Sequence, residues 1–352
     1  MTLGVSVPLS GPLANYGHFV VSGVQAAVNE VNRFNATLKN AYGMRSFDDR
    51  NDPALAVTNV SIAQSDPSII GMIGNLSPPT TLRALPSYAN ANFAVVVPTV
   101  TADSITARNY RNVFRLPTKD STEGQLVAQT LLTSHLSGSA VAVTTNGNYG
   151  PAIAAGFVRQ AKVDRHDAQT VTLDAKGLDP ALAARTILAL KPVHIFLAGR
   201  PSDLGPVAEA LRLARYVGAF SCSDGFYAET TTKYAGALDG ALVASSMPPL
   251  KRIPSAFQLL LDLEHEVTSV NAFIAYGYAA AQLLILASQR MNATTRFSTL
   301  TSLQNGGTYD TLVGQYSFNF DGDATIPNMY FYKIEKAGLA YDLPAVRTGY
   351  VL

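Results

Sequence analysis

The stretch IIGMIGNLSPPTTLRALPSYANANFAVVVP, residues 69–98, decides the fold. Ile69–Ile73 is an unbroken apolar run closed by Gly74, as expected of a strand buried on both faces of a parallel sheet. Ser77 then precedes Pro78 and Pro79, and proline suits a first helical turn, where its missing N–H would be an orphan anyway. Phe93–Val97 is a second apolar run, closed by Pro98. Strand, helix and strand in succession predict a parallel pair joined by a right-handed crossover.

The same alternation extends outward. Upstream, Leu3–Val7 reads as a strand, and Val20, Val24, Val28 and Val31 recur at helical spacing. Met44–Phe47 reads as another strand, with Pro53 opening the next helix. A second set begins after Arg115-Leu-Pro-Thr. Helices are expected at Gln125–Leu132 and Pro151–Lys162, with strands at Val141–Thr144 and Val193–Ala198. Leu204, Val207, Leu211 and Ala214 mark a further helix. Short strands follow at Ala219–Ser221 and Ala241–Ser245, then helices at Phe257–Val267 and Ala272–Gln289. Strands at Tyr316–Phe320 and Met329–Ile334 close the chain. The pattern predicts an α/β protein with two similar doubly wound halves. In such sheets ligands lie outside the carboxyl ends of the strands, which directs attention to the loops that follow each strand.

Composition narrows the function. The chain has 352 residues, too many for one ordinary core, with 47% hydrophobic and 14% charged residues. A formal net charge of +1 argues against a nucleic-acid footprint. A single cysteine, Cys222, excludes an intrachain disulfide and a cysteine metal cluster. No apolar run is expected to reach the roughly 20 residues of a membrane span. The chain enters its first strand almost at once, so either the protein is cytosolic or an export signal has been removed, and the abruptness favours removal.

Enzyme signatures fail. There is no G-x-G-x-x-G after a strand, no phosphate-binding P-loop and no G-x-S-x-G elbow. His265-Glu266 lacks the second histidine of a zinc helix, and His18, His135, His166 and His194 are scattered, so neither metal nor cofactor is expected. Asp48-Asp49 can bind a cation or accept a phosphoryl group, or it can belong to a strand-to-helix turn in which Asp52 caps the helix.

The strand-end loops PLSGPLANYG, FDDRNDPALAV, GNLSPPTTLRALPSYANANFAVVVPTVTADSIT, FRLPTKDSTEG, NGNYGPAIAAGF and GRPSDLGPVAEALRLA occur in one order over nearly the whole chain. In this the sequence resembles the type I periplasmic binding proteins, most closely the leucine/isoleucine/valine-binding branch that serves ABC transporters. The resemblance implies two Rossmann-like lobes joined by a three-crossing hinge, with the ligand in the cleft between them. Mapped here, the first lobe takes residues 1–117 and 249–321 and the second 118–248 and 322–352. Crossings would fall at Pro117-Thr118, Met247-Pro248-Pro249 and Asp321-Gly322-Asp323.

Site residues follow from the same resemblance. Tyr16, of the Tyr-Gly pair after the first strand, would line the cleft. Ser77 or Thr80 would meet the ligand's carboxylate, since Pro78 stands where the family has a serine and offers neither hydroxyl nor N–H. Thr99 and Thr101 would grip the ligand through carbonyl and hydroxyl. In the second lobe Tyr149 would line the cleft and Asp224 would pair with the ligand's ammonium. Arg200 replaces a family tyrosine; it can bind a carboxylate in bidentate fashion or pair with Asp203. Phe226, Phe273 and Tyr276 would add apolar walls. The resemblance implies a non-catalytic periplasmic or extracellular protein that delivers a small amino acid or related carboxylate to an ABC permease. The alternatives are a ligand-sensing regulator on the same fold and an α/β enzyme using Asp48, Asp49 or Asp224.

Overall fold

The apolar runs become the strands of two mainly parallel sheets, each in its own compact unit. A computed structural model of the protein describes residues 1–34, 41–132, 138–228, 232–250, 272–290, 292, 294–305, 307–335 and 338–347, with 253, 256 and 259. The units are Met1–Pro117 with Pro249–Ile326, and Thr118–Pro248 with Pro327–Leu352. The third division therefore falls after Ile326 and not at the expected Asp321. Residues 322–326 stay with the first unit because the Arg115 N–H donates to the Gly322 carbonyl and the Arg115 guanidinium pairs with Asp323.

In the first unit the strand order is β2-β1-β3-β4-β5, with β1 at Thr2–Val7, β2 at Gly43–Asp48, β3 at Ile69–Gly74, β4 at Val95–Val97 and β5 at Val113–Arg115. All four pairings are parallel. Helices α1 (Ala14–Phe34), α2 (Pro53–Gln64) and α3 (Pro78–Asn90) follow β1, β2 and β3. Val60, Leu85, Tyr88, Phe93 and Ile105 fill the core between α2, α3 and the sheet.

The second unit holds α4 (Asp120–Leu132) and a sheet of order β14-β13-β10-β9-β8-β6-β7. Strands β6 (Ala140–Thr145), β7 (Ala168–Leu173), β8 (His194–Leu197), β9 (Ala219–Cys222) and β10 (Leu242–Ser245) run parallel. Strands β13 (Asn328–Glu335) and β14 (Gly338–Arg347) extend the sheet beyond β10 by antiparallel pairing, with β14 at the edge. Helices α5 (Pro151–Val163), α6 (Pro180–Ala189) and α7 (Pro201–Leu213) follow β6, β7 and β8, and the short α8 (Gly225–Ala228) follows β9.

Both units use one packing device. In the first, α1 meets α9 (Ala272–Arg290) so closely that a Cβ on Gly23 would lie 2.0 Å from the Ile274 carbonyl and one on Gly277 2.3 Å from that of Val20. In the second, α4 meets α5 the same way, with Gly124 against the Ile153 carbonyl at 1.9 Å and Gly156 against Ser121 at 2.2 Å. Glycine at the crossing lets the backbones approach within contact distance.

Several expectations change. α9 is long and apolar enough to cross a membrane, contrary to the sequence reading, yet most of it is buried inside the first unit. Tyr316–Phe320 is not one strand: a hairpin of β11 (Tyr309–Thr311) and β12 (Gly314–Tyr316) ends at Tyr316, and Phe318 only bridges to Ala324. Helix α10 (Arg296–Asn305) stands just before that hairpin. Strands β5, β7 and β14 were not expected. The helix expected at Phe257–Val267 lies largely outside the described residues, as do His135 and His265.

Candidate functional site

Strand order gathers the second unit's site. β9, β8 and β6 are neighbours, so Asp224, Arg200 and Tyr149, in the loops after them, arise from adjacent carboxyl ends. The Tyr149 hydroxyl donates to Asp224 Oδ1 and accepts the Gly225 N–H at 2.8 Å. The Asp224 N–H donates to Glu123 Oε1 at 2.9 Å, which brings the two carboxyl groups close enough for each to act on the other's charge. Glu123 is 1% exposed and Asp120, one turn earlier on α4, 3%. Burial holds the Glu123 carboxyl well above its ordinary range, and the negative charges of Asp224 and Asp120 add to the shift. Burial also raises Asp224, while the Tyr149 hydroxyl works in the opposite direction. The Tyr149 phenol is pushed well up by burial and by the same carboxylates. The result is an acidic, half-buried cluster suited to a cation that donates hydrogen bonds.

Glu123 and Asp120 were missed as site residues, although both sit in the DSTEG motif. The signal was two acids three positions apart at a helix start, which sequence reading takes for exposed first-turn charge.

Arg200 is the exposed N-cap of α7, its guanidinium carbon 5.8 Å from the centre of the Tyr149 ring. Its charge acts on Asp224 in the same direction as the Tyr149 hydroxyl, against the larger effect of burial. The Asp203 carboxylate takes the Ser202 hydroxyl at 3.1 Å. Phe226 does not line this site. It is fully buried in the core with Leu197, Leu204, Cys222 and Tyr234.

In the first unit, Tyr16, Ser77, Thr99 and Thr101 follow β1, β3 and β4, which are also neighbours. Tyr16 lies in the first turn of α1, 37% exposed, its ring centre 4.8 Å from that of Phe273 at the start of α9. Gly17 beside it answers to packing, because a Cβ there would collide with the Pro8 carbonyl at 1.7 Å. Tyr276 is buried to 6% within α9.

Ser77 caps α3 by position only. Its hydroxyl donates to Asn51 Oδ1 at 2.5 Å and meets the Thr80 hydroxyl at 2.9 Å, and no side-chain cap bond forms. Thr80 is fully buried, its hydroxyl donating to the Ser77 carbonyl. With prolines at the first two helical positions, α3 offers Thr80 as its first N–H, a poor cradle for an anion. Thr99 Oγ1 is buried with no hydrogen-bond partner among the described residues. The Thr101 loop is held from beneath by Arg115, a residue sequence reading passed over. Its guanidinium donates to the carbonyls of Thr101 and Ala102, to Thr106 Oγ1 and to Asp323, while being fully buried itself.

The acids after β2 are fastenings. Asp48 accepts from the Leu9 and Arg50 N–H groups and the Ser10 hydroxyl, Asp49 from Asn75 and the Asn51 N–H, and Asp52 caps α2. Among the described residues no group of histidines, cysteines and acids forms a metal site. His194 is buried, bonded to the Ser221 hydroxyl at 2.8 Å.

A sequence model of the family described as periplasmic binding protein matches residues 1–339. The Leu/Ile/Val-binding protein BraC3 of Rhizobium johnstonii is 25% identical over 345 residues, covering 95% of this chain and 92% of the relative. The ABC transporter substrate-binding protein of Desulfitobacterium hafniense, solved in complex with Leu, superposes with a TM-score of 0.81 at 19% identity, over 97% of this chain and 99% of that one. The R. palustris solute binding protein RPA0668, solved with benzoate, gives 0.76 at 18% identity, over 99% and 98%.

Proposed function

The chain belongs to the periplasmic binding protein family, and from that premise we propose that it is an extracytoplasmic solute-binding protein delivering a small amino acid to an ABC permease. The cluster of the Asp224 and Glu123 carboxyls with the Tyr149 phenol in the second unit carries this reading. A primary ammonium group supplies the hydrogen-bond donors and the positive charge that such a cluster lacks. Asp224 is the ammonium partner, and Tyr149 fixes its carboxylate. Thr101, on its Arg115-braced loop, and the unpartnered Thr99 hydroxyl offer polar contacts at the strand ends of the first unit. The Tyr16–Phe273 pair offers apolar surface to an aliphatic side chain. Relatives named for leucine, isoleucine and valine support that ligand class. The family's name supports a periplasmic or extracellular setting.

One observation favours a second ligand class, amine-free carboxylates. The two prolines at the start of α3 weaken the anion cradle there, while Arg200 presents a guanidinium beside Tyr149. A thermal-shift screen of protein refolded from denaturant separates the two. At 100 times its dissociation constant a ligand stabilises the fold by about 2.7 kcal/mol. Shifts with leucine, isoleucine or valine, lost in Asp224→Ala, are the expected outcome. Shifts confined to amine-free acids, retained in Asp224→Ala and lost in Arg200→Ala, would transfer the role to Arg200.

A further inference from the structure

Carboxyl groups held close together out of water are costly to ionise together, so such a pair keeps a proton. Glu123 and Asp224 are such a pair: the Asp224 N–H donates to Glu123 Oε1 at 2.9 Å, and the buried Asp120 stands three residues before Glu123 on α4. Glu123 is nearly inaccessible, and the Asp224 main chain fastens it there. Asp224 is half-buried and reaches the loop surface beside Tyr149 and Arg200. An incoming group therefore touches Asp224, while Glu123 stands behind it.

We infer that Glu123 couples capture to proton release: the empty site keeps one proton in the Glu123–Asp224 pair, and an arriving ammonium group expels it. This rests on the reading of Asp224 as the ammonium partner. The balance is simple. The solute's ammonium brings one positive charge and its own N–H donors to Asp224. The proton held by the pair leaves to solvent, and the pair becomes fully ionised around the new cation. Other groups are consistent with this. Asp120, on the same helix turn, adds negative charge that favours retaining the proton before the ligand arrives. Tyr149 donates to Asp224 and stays neutral. Arg200 favours ionised Asp224 from the start of α7, which makes Glu123 the proton's holder. Arg159 and Lys162 of α5, the helix packed along α4, are exposed, whereas Asp224 and Asp120 both add to the upward shift of Glu123. Glu123 is thus a positioning residue that sets the pH range of capture and selects against solutes lacking a cation.

The test is calorimetric titration of the refolded full chain with L-leucine, in buffers of different ionisation enthalpy, from about pH 5 to pH 8. The expected result is about one proton released per leucine bound, with affinity rising up to about tenfold per pH unit while the pair titrates. Glu123→Gln should bind leucine with little proton exchange and an affinity that is flat with pH. Infrared difference spectra of the unaltered protein give the same readout without a variant, as loss of a carboxylic-acid carbonyl stretch when leucine is added. Leucine binding without proton release, or the same release from Glu123→Gln, would overturn the role of Glu123 and leave the amino-acid reading intact. Binding of isocaproate (leucine without its amine) with proton uptake, and no binding of leucine, isoleucine or valine, would overturn both.

Discussion

Asp224 and Phe226 stand two positions apart and meet opposite environments. The Asp224 carboxylate is tied to Tyr149 and its main-chain N–H to Glu123, while the Phe226 ring is driven into the core by the area it removes from water. A strand-end loop thus supplies both site and packing within three residues, and sequence spacing does not separate them. Arg115 gives the opposite lesson, a fully buried cation whose charge is answered by Asp323 and by two loop carbonyls. Removing one partner of a buried pair costs about 3–5 kcal/mol, because the other charge stays buried unanswered. Asp323→Ala is therefore expected to destabilise the first unit by that amount in urea unfolding. It should also weaken ligand binding through the Thr101 loop. A loss below about 1 kcal/mol, the range of exposed pairs, would show that the pair is solvated.

At the scale of elements, the two units repeat one contact, a helix pair crossing on glycines. A Cβ at Gly124 or Gly277 falls on a carbonyl of the facing helix, backbone that cannot rotate away. Overpacking of this kind costs about 1–3 kcal/mol or more. Gly124→Ala and Gly277→Ala should each lower the midpoint of denaturant unfolding accordingly. Gly236→Ala, with no atom within 4 Å of its Cβ, should change it little. Equal effects at all three positions would refute close approach as the cause. The apolar strands of both sheets were legible because burial on both faces writes an unbroken run into the sequence. β7 was not, since as an edge strand it exposes much of AQTVTL and loses that run. β5 is three residues long and ends on the charged Arg115, so it carries no apolar run to read.

For the whole molecule, two buried groups of the second unit set the response to pH in opposite senses. Burial lowers the pKa of His194 from 6.5 to about 4. The unfolded chain then binds a proton that the folded one refuses, so stability is full above about pH 6.5 and falls as pH drops toward 4, by about 3 kcal/mol in all. Glu123 is shifted upward, so its contribution is present at low pH and lost as pH rises through its raised value. Hydrogen exchange of second-unit peptides should show protection greatest at mildly acidic to neutral pH in the empty protein, and extended to higher pH by leucine. His194→Gln should flatten the acid limb, and an unchanged acid limb would remove His194 as its cause. The sequence by itself determined the α/β alternation, the loops that follow the strands and the family, because strand burial and turn chemistry are local and leave their pattern in order along the chain. The tertiary structure alone decided which of those loops meet. Strand order β9-β8-β6 is a long-range pairing that no local pattern encodes, and it is what brings Asp224, Arg200 and Tyr149 together. It likewise decided that Glu123 is buried beside Asp224 while Phe226 is withdrawn, because burial is settled by what packs against a residue from elsewhere in the chain.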